Sequence, residues 1–171
     1  MINIRLATPA DTDAVEAIME DAIKFLGIQG LPQWQGGYGP DRQWLEDDAR
    51  LGYGYVLEVD GEVHGYAAME PGIDNDYEAL KNGTWEGRGG GYIVIHRVMI
   101  GEDMRGRGMG SKFLRMLVDE ARRLRYGDIR IDTHPGNVIM KKAIAEAGFV
   151  YRGDLILDIP HGERAAYQLL L

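Results

Sequence analysis

Two apolar periods alternate along the chain, and the places where the period changes mark its elements. Ile2 to Leu6 alternates apolar and polar residues as a half-buried strand does. Thr8-Pro9-Ala10-Asp11 then supplies an N-cap, a first-turn proline and a capping acid. Behind it Val15, Ile18, Met19, Ala22 and Leu26 recur at helical spacing, which predicts a helix over 9–26 with one face in the core. Glycine and proline break the pattern from Gly27 to Pro40, a loop that carries Trp34 and Tyr38, and 41–50 reads as a second, short helix. The runs 53–60 and 62–69 read as strands joined at Asp60-Gly61, a dipeptide suited to the primed turns of tight hairpins. A polar, glycine-rich connection from Pro71 to Gly90 holds Tyr77 and Trp85, and connections of this length are usually functional or mobile. Tyr92 to Ile100 is almost continuously apolar, the mark of a central strand, and only His96 and Arg97 interrupt it.

That strand runs into a turn with glycines at 106, 108 and 110, and a helix over 111–126 follows, with Phe113, Leu114, Leu117, Val118, Ala121 and Leu124 on one stripe. Gly127 is placed to end this helix, and 128–133 forms a strand that can lie parallel to 92–100 through a right-handed crossover. A helix over 137–147 closes at Gly148-Phe149, and strands at 150–159 and 165–171 finish the chain. Seven strands and four helices make a mixed α/β class. No repeat or low-complexity segment interrupts them, and residues 1–171 read as one domain.

Composition narrows the chemistry. At 171 residues and 45% hydrophobic, the chain can bury one sizeable core. It has no cysteine, which excludes disulfides, thiolate metal ligands and thiol nucleophiles. Met1-Ile2-Asn3-Ile4-Arg5 lacks the apolar run of a signal peptide and no later run approaches a membrane span, so the expectation is a soluble, cytoplasmic protein with no membrane partner. The net charge is -8, yet 101–127 holds seven Lys and Arg against four Asp and Glu, a local +3, so the remainder sums to -11. One basic turn on an acidic protein points to a phosphorylated ligand at that turn, whereas a nucleic-acid binder is usually basic over a whole face. The glycines let several N–H groups converge there, and the helix behind adds its unpaired N–H groups and positive dipole end. A glycine turn beside a solvated basic helix is the plainer alternative.

Arg105-x-x-Gly108-x-Gly110 after a central strand, followed by an Asn137 helix that ends in Gly148-Phe149, resembles the signature of the GNAT superfamily of N-acetyltransferases. These enzymes move an acyl group from acyl-coenzyme A to a primary amine. The resemblance implies a mostly antiparallel central sheet of about seven strands with a splayed central parallel pair, flanked by about four helices. It also implies acetyl-CoA as co-substrate. The backbone amides of Arg105, Gly106, Arg107, Gly108, Met109 and Gly110 should then hold the pyrophosphate, and backbone groups at Val98 and Ile100 should pair with the pantetheine arm like an added strand. Asn137 should reach the arm too. Lys141 or Lys142 would meet a phosphate at the outer end, or be a solvated helix position. The implied partner is a small-molecule amine, and a homodimer is left open.

An alkyl ammonium with a pKa near ~10 must lose a proton before it attacks, so a base or water chain is required. Counted back from Arg105, His96 stands where many resembling enzymes carry a β-strand glutamate as base, and imidazole titrates in a suitable range; a hydrogen-bonded core histidine is the alternative. The tyrosine that protonates the departing thiolate in the family would fall at Ile144, which cannot donate. His134 and Asp132, at the end of the second parallel strand, are the substitutes, or else members of a turn before Asn137. Trp34, Tyr38, Tyr77 and Trp85 are candidates for the acceptor site, because aromatic faces attract cations, unless they anchor long loops. No metal is expected, since nothing in the spacing of His96, Asp132 and His134 brings three ligands together. A dinucleotide-binding reading fails on the position of the glycines, and a P-loop fails for want of Gly-Lys-Ser/Thr. The competing function is a non-catalytic acyl-CoA-binding or sensor module.

Overall fold

A computed structural model of the protein describes residues 1–87 and 89–171. Arg88, inside the 71–90 connection, lies outside the described residues. The described residues form seven strands: β1 (Ile2–Leu6), β2 (Gly54–Val59), β3 (Glu62–Pro71), β4 (Ile93–Ile100), β5 (Asp128–Thr133), β6 (Val150–Ile156) and β7 (Glu163–Leu170). They form one sheet in the order β1-β2-β3-β4-β5-β7-β6, in which only β4 and β5 run parallel. The β2–β3 hairpin turns at Asp60 and Gly61, with φ of 50° and 88°, the left-handed pair that a type I′ turn requires.

Helices α1 (Thr12–Ile28) and α2 (Arg42–Leu51) cover one face, where Val15, Met19, Ala22 and Leu45 pack on Val56, Tyr66 and Met99. Helix α3 (Asn75–Glu78) is one turn inside the long connection, and it seats Tyr77 on Tyr92 and Val94 of that same face. Helices α4 (Met109–Arg123) and α5 (Val138–Glu146) cover the other face, where Phe113, Leu114, Leu117 and Ile144 meet Ile93, Ile95, Ile129 and Ile131. No helix among the described residues is long and apolar enough to cross a membrane.

Several boundaries differ from the sequence expectation, each for a local reason. A 3-10 turn at Pro9–Asp11 precedes α1, because the Asp11 carboxylate accepts from the Thr8 N–H at 2.8 Å and from two nitrogens of Arg5 at 2.8 and 2.9 Å. Helix α4 opens at Met109, directly behind a left-handed Gly108. It ends three residues before the expected 126, and Arg125 (φ 68°), not Gly127, is the left-handed terminator. The Tyr126 N–H returns to the Ala121 carbonyl and the Arg125 N–H to that of Arg122, both at 2.9 Å, the paired bonds of a Schellman end. Helix α5 is capped by Asn137, whose Oδ1 accepts from the Met140 N–H at 3.1 Å.

Candidate active site

β4 and β5 pair only from Ile93 to Ile95 against Ile129 to Ile131. Beyond that point β4 stays bonded to β3 as far as Ile100 and β5 stays bonded to β7 as far as Thr133, so the two strands part while each keeps its outer neighbour. A bulge accompanies the parting. Ala68 faces His96 and Tyr66 faces Met99, so Ala67 alone opposes both Arg97 and Val98. Arg97 takes φ 55°, a left-handed backbone that costs a non-glycine residue on the order of 1 kcal/mol.

The bulge changes which residues share a face. Without it Arg97 would point at the apolar α4/α5 layer; with it Val98 takes that place and Arg97 turns to the α1/α2 layer beside His96. There its guanidinium donates to both Asp48 oxygens at 3.1 and 2.8 Å and to Glu70, and it stacks 4.9 Å over the Trp44 ring. Tyr66 closes the group by donating to Asp48 at 2.6 Å. These bonds hold the strained backbone in place.

A cleft of about 1150 Å³ runs through the parting. On the α4/α5 face it is floored by Met104 to Gly106 and Gly108 to Ser111 and walled by Met140, Lys142, Ala143 and Glu146. Gly106 and Gly108 have φ of 71° and 70°, and a Cβ built on either meets nothing within 4 Å. Gly108 is the N-cap of α4 and no side chain caps that terminus, so the first-turn N–H groups of Met109, Gly110 and Ser111 are left for another acceptor. Gly110 itself has ordinary helical backbone, and a Cβ there would sit 3.5 Å from that of Ala143, which corrects the expectation that all three glycines serve an unusual conformation.

The cations are arranged otherwise than expected. Arg105 lines the cleft, but its guanidinium pairs with Asp21 and stacks 4.1 Å over Phe25, so its side chain braces α1 against the turn. Arg107 is exposed and outside the cleft wall. Lys141 donates to the Pro135 carbonyl at 3.3 Å and also lies outside, whereas Lys142 reaches the wall, 3.8 Å from Glu146. Asn137 lines the cleft, and besides capping α5 its Nδ2 donates to Gln33 at 3.3 Å.

At the far end, on the α1/α2 face, the cleft is acidic and aromatic. His96 Nε2 lies 3.3 Å from Asp74 Oδ2 and 3.9 Å from Glu70 Oε2, with its ring edge-on to Tyr77. The hydrogen bond from His96 holds the Asp74 carboxyl below its ordinary range, while burial and the neighbouring Asp74 and Asp132 push Asp76 up. The Tyr77 hydroxyl donates to Asp132 at 2.6 Å, and burial, then that carboxylate, raise its pKa far above the usual tyrosine value. Trp34 and Tyr38 line this end as well.

Two candidates lie elsewhere. Trp85 is outside the cleft: it stacks on Tyr77 at 5.6 Å, donates to the Tyr77 carbonyl at 2.7 Å and carries Arg130 on its ring, so it is an anchor for the 71–90 connection. His134 is also outside, with Nδ1 accepting from the Gly136 N–H at 3.0 Å; burial, then Arg164, lower its pKa. Sequence reading passed over Trp44, Arg97 and Thr133, which all line the cleft. Trp44 carried a signal, since a large aromatic off the apolar stripe of a short helix is unexplained by that helix alone.

The acetyltransferase (GNAT) family model matches residues 16–149. No curated protein matches the chain. Among solved structures, a GNAT family acetyltransferase from Streptococcus agalactiae is 34% identical over 99% of this chain and 95% of its own, with a TM-score of 0.91. A GNAT family acetyltransferase from Listeria monocytogenes is 20% identical over 99% of this chain and 95% of its own, with a TM-score of 0.74. The protein yncA from Salmonella typhimurium, solved with its cofactor acetyl-CoA, is 22% identical over 99% of this chain and 94% of its own, with a TM-score of 0.69.

Proposed function

The chain belongs to the acetyltransferase (GNAT) family, and on that premise we propose that it transfers an acetyl group from acetyl-CoA to a primary amine of a small molecule or a peptide N-terminus by direct attack. One observation carries the reading: the cleft opened by the parting of β4 and β5 joins an uncapped helix terminus on one face of the sheet to an acidic, aromatic end on the other. Acetyl-CoA supplies an activated thioester and a diphosphate handle. The N–H groups of 106–111 hold the handle, with open space above Gly106 and Gly108 for its approach. The structural likeness to the Salmonella protein, solved with acetyl-CoA, supports acetyl-CoA as the co-substrate.

The backbone of β4 at Val98 and Ile100, free of β5, takes the pantetheine arm, and an N–H near Val98 polarises the thioester carbonyl. His96 accepts the amine proton and Asp74 orients it. Trp34, Tyr38 and Tyr77 enclose the acceptor, whose positive charge is favoured by Glu70, Asp74 and Asp76. A binding module without turnover is the second reading, favoured by Ile144, which is wholly buried in the apolar core and offers no proton. The test is thiol release from acetyl-CoA across a panel of amines and N-terminal peptides, with calorimetry of cofactor binding alongside. Thiol release with matching acetylated product supports the enzyme, binding without release across the panel supports the module, and absence of binding overturns both.

A further inference from the structure

Thr133 ends β5 on the cleft wall, is 1% exposed, and its hydroxyl has no hydrogen-bond partner among the described residues. Leaving a buried hydroxyl unpaired costs stability, so such a group calls for a ligand-side partner. Its face is fixed by alternation along the strand. Ile129 and Ile131 pack into the α4/α5 core, and Ala165, opposite Thr133 on β7, does the same. Asp132 points the other way, bonded to Tyr77, and its partner Ala166 packs with Tyr77 and Val94. Thr133 therefore stands on the side of the sheet that holds the α4 terminus, opposite His96, at the mouth of the parting. Ile144 is on this same side and is apolar.

Resting on the acetyltransferase reading, we propose that the Thr133 hydroxyl donates a hydrogen bond to the thioester sulfur as it departs. In the step the amine nitrogen bonds to the acetyl carbon, the carbon–sulfur bond breaks, its electron pair stays on sulfur, and the amine proton goes to His96. Thr133 keeps its own proton, because an aliphatic hydroxyl is a far weaker acid than a thiol. Its contribution is the charge-assisted bond to the developing thiolate, made on the opposite side of the sheet from the developing imidazolium.

The test uses Thr133→Val, which preserves shape, and Thr133→Ser, which preserves the donor. The thiol of bound coenzyme A is titrated by the ultraviolet absorbance of its thiolate, and it should ionise about one pH unit higher on the valine variant than on wild type, with the serine variant close to wild type. Turnover should fall about 10- to 100-fold for Thr133→Val with KM for acetyl-CoA little changed, and serine should restore most of it. Tm should stay level or rise for Thr133→Val, since an unpaired hydroxyl is removed. An unchanged thiol titration on the valine variant overturns the proposal, as does weaker coenzyme A binding at full turnover, which would assign the hydroxyl to the pantetheine arm. Wild-type protein that binds no coenzyme A overturns the acetyltransferase reading itself and the proposal with it.

Discussion

His96 and Asp74 face each other at 3.3 Å across the acidic end of the cleft, one from the central strand and the other from the cap of α3. A carboxylate so placed fixes the ring, as the proposed role of His96 as base requires. His96→Ala should lower turnover ~100-fold and leave acetyl-CoA affinity intact, and Asp74→Asn should lower it ~10-fold. Steady-state kinetics with calorimetry check both. Full turnover by a folded His96→Ala protein would make the histidine a packing residue.

Gly108→Val forces a branched side chain into a left-handed backbone at the N-cap of α4 and into the space over it. Its Kd for acetyl-CoA should rise at least ~10-fold. Gly110→Ala provides the contrast: the position is helical with room for a methyl group, so Tm should rise, by the equivalent of up to ~1 kcal/mol, with affinity retained. Equal affinity in wild type and a folded Gly108→Val would remove the diphosphate from this turn.

The two tryptophans of the glycine-rich loops should separate in kinetics. Trp34→Ala and Tyr38→Ala, on the cleft wall, should raise KM for the amine about 3- to 30-fold and leave that for acetyl-CoA alone. Trp85→Ala removes the stack on Tyr77 and the seat of Arg130, so it should lower Tm first. A larger KM effect from Trp85 than from Trp34 would reverse these roles.

Acid stability should carry the signature of Asp11. The Arg5 guanidinium, helped by the Thr8 N–H and hydroxyl and opposed by partial burial, holds its carboxyl down at about 2. A depressed folded pKa adds stability that is present above the ordinary carboxylate range and is lost as pH falls through ~4 towards the folded value. Asp11→Asn should therefore cost roughly 1–2 kcal/mol at neutral pH, a figure reduced for the part-exposed Arg5, and the difference from wild type should vanish near pH ~2. Denaturant unfolding across pH measures it. A constant difference down to pH ~2 would mean that the ion pair is not its source.

Local regularities were enough to place all seven strands, the four longer helices and the parallel pair, because the periods of two and of 3.6 residues are set by neighbours in sequence. The glycine turn and its positive charge were legible for the same reason, and with them the family. What the tertiary structure alone decided lies where distant segments meet. Tyr77 and Asp132, 55 residues apart, share a proton-donor bond that neither segment announces. One added residue at Arg97 re-phases β4, and since side chains alternate faces, that shift decides which of His96, Arg97 and Val98 look towards each layer. Rotation about a helix axis sent Lys142 rather than its neighbour to the cleft, and a stack on Tyr77 took Trp85 out of it. The hydroxyl of Thr133 is the extreme case: a threonine at a strand end reads as ordinary until the strands beside it part, and only the assembled sheet leaves it buried with no partner among the described residues.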